Sequence, residues 1–172
     1  NTYSFFSLYA NIDGFSYSEA DIPLDKRPEI DRWILSELHT LIEKVDTQYD
    51  NYEPTKAARL ISTFVIEDLS NWYVRLSRRR FWKGTYEADK IAAYQTLYTC
   101  LISVAKLMAP IAPFYADRLY QDLDNTTAKE KYASVHLAYF PDADKGFVDT
   151  VLEEKMQRAQ HCAAKNKPPR DA

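Results

Sequence analysis

All-α architecture is written into this 172-residue sequence in three ways. Glycine occurs only three times, against about twelve at the usual ~7%. Apolar residues recur every three or four positions through long stretches, the spacing of one helical face. Glycines and prolines stand between those stretches rather than inside them, where helices should start and stop. The chain therefore reads as an antiparallel helical bundle of about five helices with a looser C-terminal segment.

The first helix covers Asn1 to Asp13 through Phe5, Phe6, Leu8, Tyr9 and Ile12, with Gly14 as its left-handed stop. Residues 15–28, polar and holding Pro23 and Pro28, read as a connector. The second helix runs from Pro28 to Tyr52 on a stripe of Ile30, Ile34, Leu38, Leu41, Val45, Tyr49 and Tyr52, and Trp33 borders its core face. Proline suits its first turn, where the missing N–H has no partner to lose. The third spans Glu53 to Trp82 before Gly84, with Ala58, Ile61, Val65, Leu69, Trp72 and Leu76 predicted as its buried stripe. The fourth, Glu87 to Ala109, carries no charge from Ile91 to Ala105 and is apolar on two sides, as expected of a helix at the middle of a bundle. Pro110 and Pro113 turn the chain into a shorter helix ending near Leu123. Ser134 to Leu137 is a short extended candidate, and a last helix covers Gly146 to Ala159. The expected organisation is a bundle over 1–124, a C-terminal extension over 125–160 and a flexible tail over 161–172, where Pro168 and Pro169 cannot continue a helix.

Composition narrows the chemistry. The formal net charge is −3, and hydrophobic residues make up 46% of the chain, so a folded core is expected rather than disorder. No run of about 20 uncharged apolar residues is present, and the first residues lack a signal-peptide pattern, so a cytoplasmic protein that meets no membrane is expected. Cys100 and Cys162 form no C-x-x-C pair, and Cys100 lies in an apolar run as a small buried hydrophobe. His39, His136 and His161 make no metal-ligand spacing. Glycines at 14, 84 and 146 alone cannot build a phosphate-cradling loop. Glu67-Asp68 and Glu153-Glu154 adjoin no histidine or nucleophile in sequence, so acid–base catalysis is not supported.

One stretch breaks the acidic balance. Residues 71–83 hold Arg75, Arg78, Arg79, Arg80 and Lys83, and no acid occurs from Leu69 to Tyr86. The rest of the chain has 17 basic against 25 acidic residues, so the patch suits a local polyanion contact. At 100° per residue, Asn71, Arg75, Arg78 and Trp82 share one side, away from the stripe of Leu69, Trp72 and Leu76, with Arg79 at its border. Guanidinium groups grip phosphate in pairs of hydrogen bonds, and an exposed indole offers stacking to unpaired bases, a combination suited to a single-stranded RNA loop. Arginines at a helix end also complement its dipole, and Trp82 reads equally as a cap over the bundle end. Arg80 falls near the apolar side: either the helix has ended by then or a carboxylate inside the bundle pairs it, and it is not assigned to RNA.

Asp31-Arg32-Trp33-Ile34-Leu35-Ser36-Glu37-Leu38 and Asn71-Trp72-Tyr73-Val74-Arg75-Leu76-Ser77-Arg78-Arg79-Arg80-Phe81-Trp82 together resemble the anticodon-binding domain of isoleucyl-tRNA synthetases. Met108-Ala109-Pro110-Ile111-Ala112-Pro113-Phe114 and Ser134-Val135-His136-Leu137 extend the resemblance, which covers residues 1–160. It implies a class I enzyme that activates isoleucine with ATP and Mg²⁺, and a bundle that holds the anticodon stem and loop of isoleucine-accepting tRNA beside a separate catalytic domain of the same parent chain. The class I signatures His-x-Gly-His and Lys-Met-Ser-Lys-Ser are missing here, so the chain reads as a fragment without catalytic residues, metal or cofactor of its own. An asparagine early in the bundle's first helix contacts the anticodon in related enzymes, and Asn1 matches it. The tRNA-binding candidates are thus Asn1, Asn71, Arg75, Arg78, Arg79 and Trp82. The valyl or leucyl enzyme, which lacks the arginine run, and a helical protein-interaction scaffold are the alternatives.

Overall fold

A computed structural model describes residues 1–83 and 85–165. Among the described residues, seven α-helices and one π-helical segment make up the framework: α1 (Thr2–Asp13), α2 (Glu29–Asp50), α3 (Pro54–Thr63), the π-segment (Phe64–Val74), α4 (Arg75–Trp82), α5 (Ala88–Met108), α6 (Pro113–Thr127) and α7 (Thr150–Lys165). Short 3₁₀ turns lie at Leu24–Lys26, Val135–Leu137 and Lys145–Phe147, and no strand occurs among the described residues. The predicted extended segment at Ser134 to Leu137 is one of those turns. The Ser134 hydroxyl accepts the His136 N–H and donates to Asp117, a local bonding pattern that competes with an extended backbone.

The helices alternate in direction. Tyr73 and Arg80 meet Asp31 at the start of α2, and Tyr49 near its end donates to the Leu107 carbonyl near the end of α5. Hence α2 and α5 run one way, with α1, the α3–π–α4 helix and α6 running the other. The central helix α5 touches α1, α2, α3, α4 and α6. Its length and apolar character would suffice to cross a membrane, but 78% of its most apolar stretch is buried inside the bundle, which accounts for its composition without one.

Gly14 closes α1 at φ 69°, and both its N–H and that of Phe15 reach the Ala10 carbonyl. An added Cβ there would meet no neighbour, so glycine is needed for its left-handed backbone rather than for space. The connector that follows is not merely polar linkage. Phe15 and Tyr17 are buried, Phe15 stacks on Tyr94 at 4.9 Å, and Arg27 donates to the Thr96 hydroxyl at 2.6 Å. Tyr52, placed by periodicity on the α2 stripe, is 92% exposed because α2 has ended and the chain turns through φ 57°.

The long third helix forms as predicted but changes pitch. Between Phe64 and Val74 it is π-helical, and its buried residues there, Phe64, Leu69, Tyr73 and Val74, lie five and then four to five positions apart. That spacing is what i→i+5 bonding brings into line. From Tyr73, near the end of that segment, the core face continues through Ser77 and Phe81 instead of through Trp72 and Leu76: Trp72 is half-buried and Leu76 is 55% exposed.

Two later helices outrun their expected ends. α6 continues to Thr127, and Ala128 closes it in the left-handed region. α7 continues from Ala159 to Lys165, so His161 to Lys165 are helical rather than part of a flexible tail. The rest of that tail, 166–172, lies outside the described residues, as does the Gly84 stop.

Candidate nucleic-acid interface

α4 is a regular α-helix, so the side of each of its residues follows from its number. Ser77 and Phe81 face inward; Phe81 packs edge-on against Phe5 at 5.1 Å and Tyr94 at 5.0 Å. Arg75, Arg78, Arg79 and Trp82 fall on the opposite side and are exposed, Trp82 by 54%. Among the described residues, no carboxylate lies within ion-pair distance of Arg75, Arg78 or Arg79. Three guanidinium groups and an indole therefore line one solvent face.

Arg80 does the opposite. Its Nη1 and Nη2 grip the two oxygens of fully buried Asp31 at 2.6 and 2.8 Å, and Asp89 takes a further contact at 3.0 Å. Burial opposes the charge on Arg80, but Asp31 more than offsets it and holds the guanidinium pKa above its usual value. The Tyr73 hydroxyl donates to Asp31 Oδ1 at 2.9 Å, and burial beside that carboxylate drives the phenol pKa well upward. This arginine is a structural cation: α4 runs on to Trp82, so of the two readings its angle allowed, pairing with an internal carboxylate is the one that holds.

Asn71 is exposed on the π-segment, and its Nδ2 donates to Glu67 Oε2 at 3.2 Å. With Arg75 it lines a groove of about 930 Å³ between this helix and the end of α7. Glu67, Trp72, Leu76, Gln157 and Gln160 complete most of its wall. None of these five is a candidate from sequence. Trp72 is hidden by the α-pitch extrapolation, and the α7 side chains arrive through tertiary docking that no local pattern reports. Asn1 lines a different groove, of about 510 Å³, beside Ile66, Ser70 and Tyr115. The structure thus brings Asn71 and Arg75 into one groove, sets Arg78, Arg79 and Trp82 on the adjoining face of α4, and leaves Asn1 apart.

α7 is held mainly by polar contacts. Glu153 Oε1 accepts from Ser36 Oγ and, at 2.8 Å, from Thr40 Oγ1; Lys155 pairs with Glu29 at 2.7 Å; Gln160 Nε2 donates to Asp68 at 3.2 Å. Only Leu152 of its residues is buried. Where α7, α2 and the π-segment meet, Glu37 is pushed up to about 7 by burial and by the charges of Glu153 and Asp68. Burial likewise raises Asp68. His39 accepts the Asp144 N–H at 3.0 Å, stacks on Phe147 at 4.6 Å, and is lowered by burial. No group of three His, Cys, Asp or Glu side chains among the described residues is arranged to hold a metal ion.

Comparison with known proteins matches this architecture to a family. Residues 31–168 match the family model of the anticodon-binding domain of tRNA ligases. The chain is 66% identical over 160 residues to an isoleucine–tRNA ligase of Bacteroides fragilis, covering 93% of this chain and 14% of that protein. It is 60% identical over 164 residues to that of Cytophaga hutchinsonii, covering 95% and 15%. With the isoleucine–tRNA ligase of Thermus thermophilus it shares 46% over 157 residues, covering 91% and 15%. The chain thus spans about one-seventh of the length of these relatives. The helical bundle with its cation-rich fourth helix belongs to the family of tRNA-ligase anticodon-binding domains.

Proposed function

We propose that this chain binds the anticodon stem and loop of isoleucine-accepting tRNA as part of an isoleucine–tRNA ligase, the longer enzyme that attaches isoleucine to that tRNA with ATP. The observation that carries this reading is the unpaired outward face of α4. Arg75, Arg78 and Arg79 are available to backbone phosphates because, of the α4 arginines, Arg80 takes the buried carboxylate Asp31. Phosphate contact falls to these three arginines, and base contact to Asn71 and Trp82. Asn1, in its separate groove, is a further contact on the strength of the family resemblance. The relatives named as isoleucine–tRNA ligases support the amino acid assignment.

ATP and Mg²⁺ do not fit the residues present: three isolated glycines form no phosphate loop, and no metal-holding cluster occurs among the described residues. Both are assigned to other parts of the longer enzyme, whose catalytic domain is the second expected partner. The cytoplasm is the compartment this reading implies.

Titration of the chain with the cognate anticodon stem-loop at several salt concentrations tests the assignment. Affinity should fall with a log–log slope of about −0.7 per neutralised phosphate. Arg75→Glu combined with Arg78→Glu should weaken binding at least tenfold and flatten the slope, with the circular dichroism of the helices unchanged. Unaltered RNA affinity in that double variant rejects the interface.

A further inference from the structure

The groove between the π-segment and α7 has the chemistry of a pocket for a single base. One wall offers the half-buried Trp72 indole and the apolar side of Leu76; the other offers the Gln157 and Gln160 amides, three residues apart on one face of α7. Gln160 donates to Asp68 of the π-segment at 3.2 Å, which ties α7 to that helix beside the groove. Arg75 stands at the same groove, within reach of the phosphate that any base carries behind it.

Asn71 is the side chain with direction. A carboxylate accepts and cannot donate, so the end of the Asn71 amide turned toward Glu67 must be its NH₂. The amide oxygen and the second N–H remain for a ligand. An amide that presents one acceptor beside one donor matches a base edge that presents one donor beside one acceptor, as the free Watson–Crick edge of an unpaired base does.

The geometry points to this groove as the seat of one unstacked base of the bound RNA loop. Asn71 reads the edge of that base, and Glu67 is the positioning residue that sets which way the amide faces. This assignment rests on the RNA-binding reading above and adds to it the place where sequence is read.

The test uses the cognate anticodon stem-loop and a set of loops in which each nucleotide is replaced in turn by the other three. With the unsubstituted chain, changes at one loop position should weaken binding about tenfold. In Asn71→Ala that penalty should shrink to within twofold while the salt slope stays the same, since no phosphate contact is lost. Glu67→Ala should erode it as well, and Glu67→Gln, whose amide oxygen still accepts from Asn71, should restore most of it. Both positions are exposed, so these variants are expected to fold. Absence of salt-dependent RNA binding by the unsubstituted chain defeats the RNA reading itself. Salt-dependent binding in which Asn71→Ala and Glu67→Ala keep every base penalty overturns the pocket alone.

Discussion

Asp31 is fully buried, and what makes its charge tolerable is the bidentate grip of Arg80 together with the Tyr73 hydroxyl. Removing one partner of a buried pair leaves the other uncompensated, which typically costs about 3–5 kcal/mol. Arg80→Ala should therefore lower the urea midpoint sharply, while Arg79→Ala, one residue away and solvated, should shift stability by less than about 0.5 kcal/mol. Equal losses in the two variants would contradict the division of labour between these neighbours. Arg80 was legible in the sequence because its angle on a helix conflicts with its charge. Its acceptor was not, since Asp31 lies 49 positions away and only packing brings it near.

At the level of elements, helix existence was legible almost throughout and helix phase was not. Periodicity locates the helices because burial of one face sets both. It assumes one pitch, and the π-segment breaks that assumption between Phe64 and Val74. Of the predicted outward set, Arg75, Arg78 and Trp82, with Arg79 at its border, keep their mutual angles because all four lie on regular α4, whereas Asn71 lies on the π-segment. The predicted inner set fails by about one residue, which exchanges Leu76 for Ser77. A pair of substitutions separates the two phases. Leu76→Ser should be close to neutral, whereas Ser77→Leu forces a larger side chain into a site only 1% exposed and should cost about 1–3 kcal/mol by chemical denaturation. A straight α-helix predicts the reverse order. The connector was misread for a related reason: Phe15 and Tyr17 are core residues without a helix to give them a period.

For the molecule as a whole, the junction of α2, α7 and the π-segment makes stability depend on pH. Glu37 titrates near 7 in the folded chain, above the 4.5 of an unperturbed glutamate, through burial and the Glu153 and Asp68 charges. The folded state thus holds a proton that the unfolded state has released between those two values. Stability is greatest below about 4.5 as far as this group is concerned and declines as pH rises toward 7. The loss should be about 2 kcal/mol after discounting for the partial exposure of the group. Urea unfolding at pH 5 and pH 8 checks the sign, and Glu37→Gln should stabilise the chain at pH 8 and flatten the dependence. A wild-type profile that rises over this interval, with no gain from the glutamine variant, would refute it. Nothing local in Trp33-Ile34-Leu35-Ser36-Glu37 announces this behaviour, because the two carboxylates responsible come from α7 and the π-segment.

The bond between Arg80 and α2 has one more effect. It bolts the end of α4 to the bundle at the very turn that carries Arg78, Arg79 and Trp82, so their backbone is immobilised before any ligand arrives. Only side-chain rotamers remain to be ordered on association, and a frame already stiffened in this way forfeits less freedom than a loop of equal charge would.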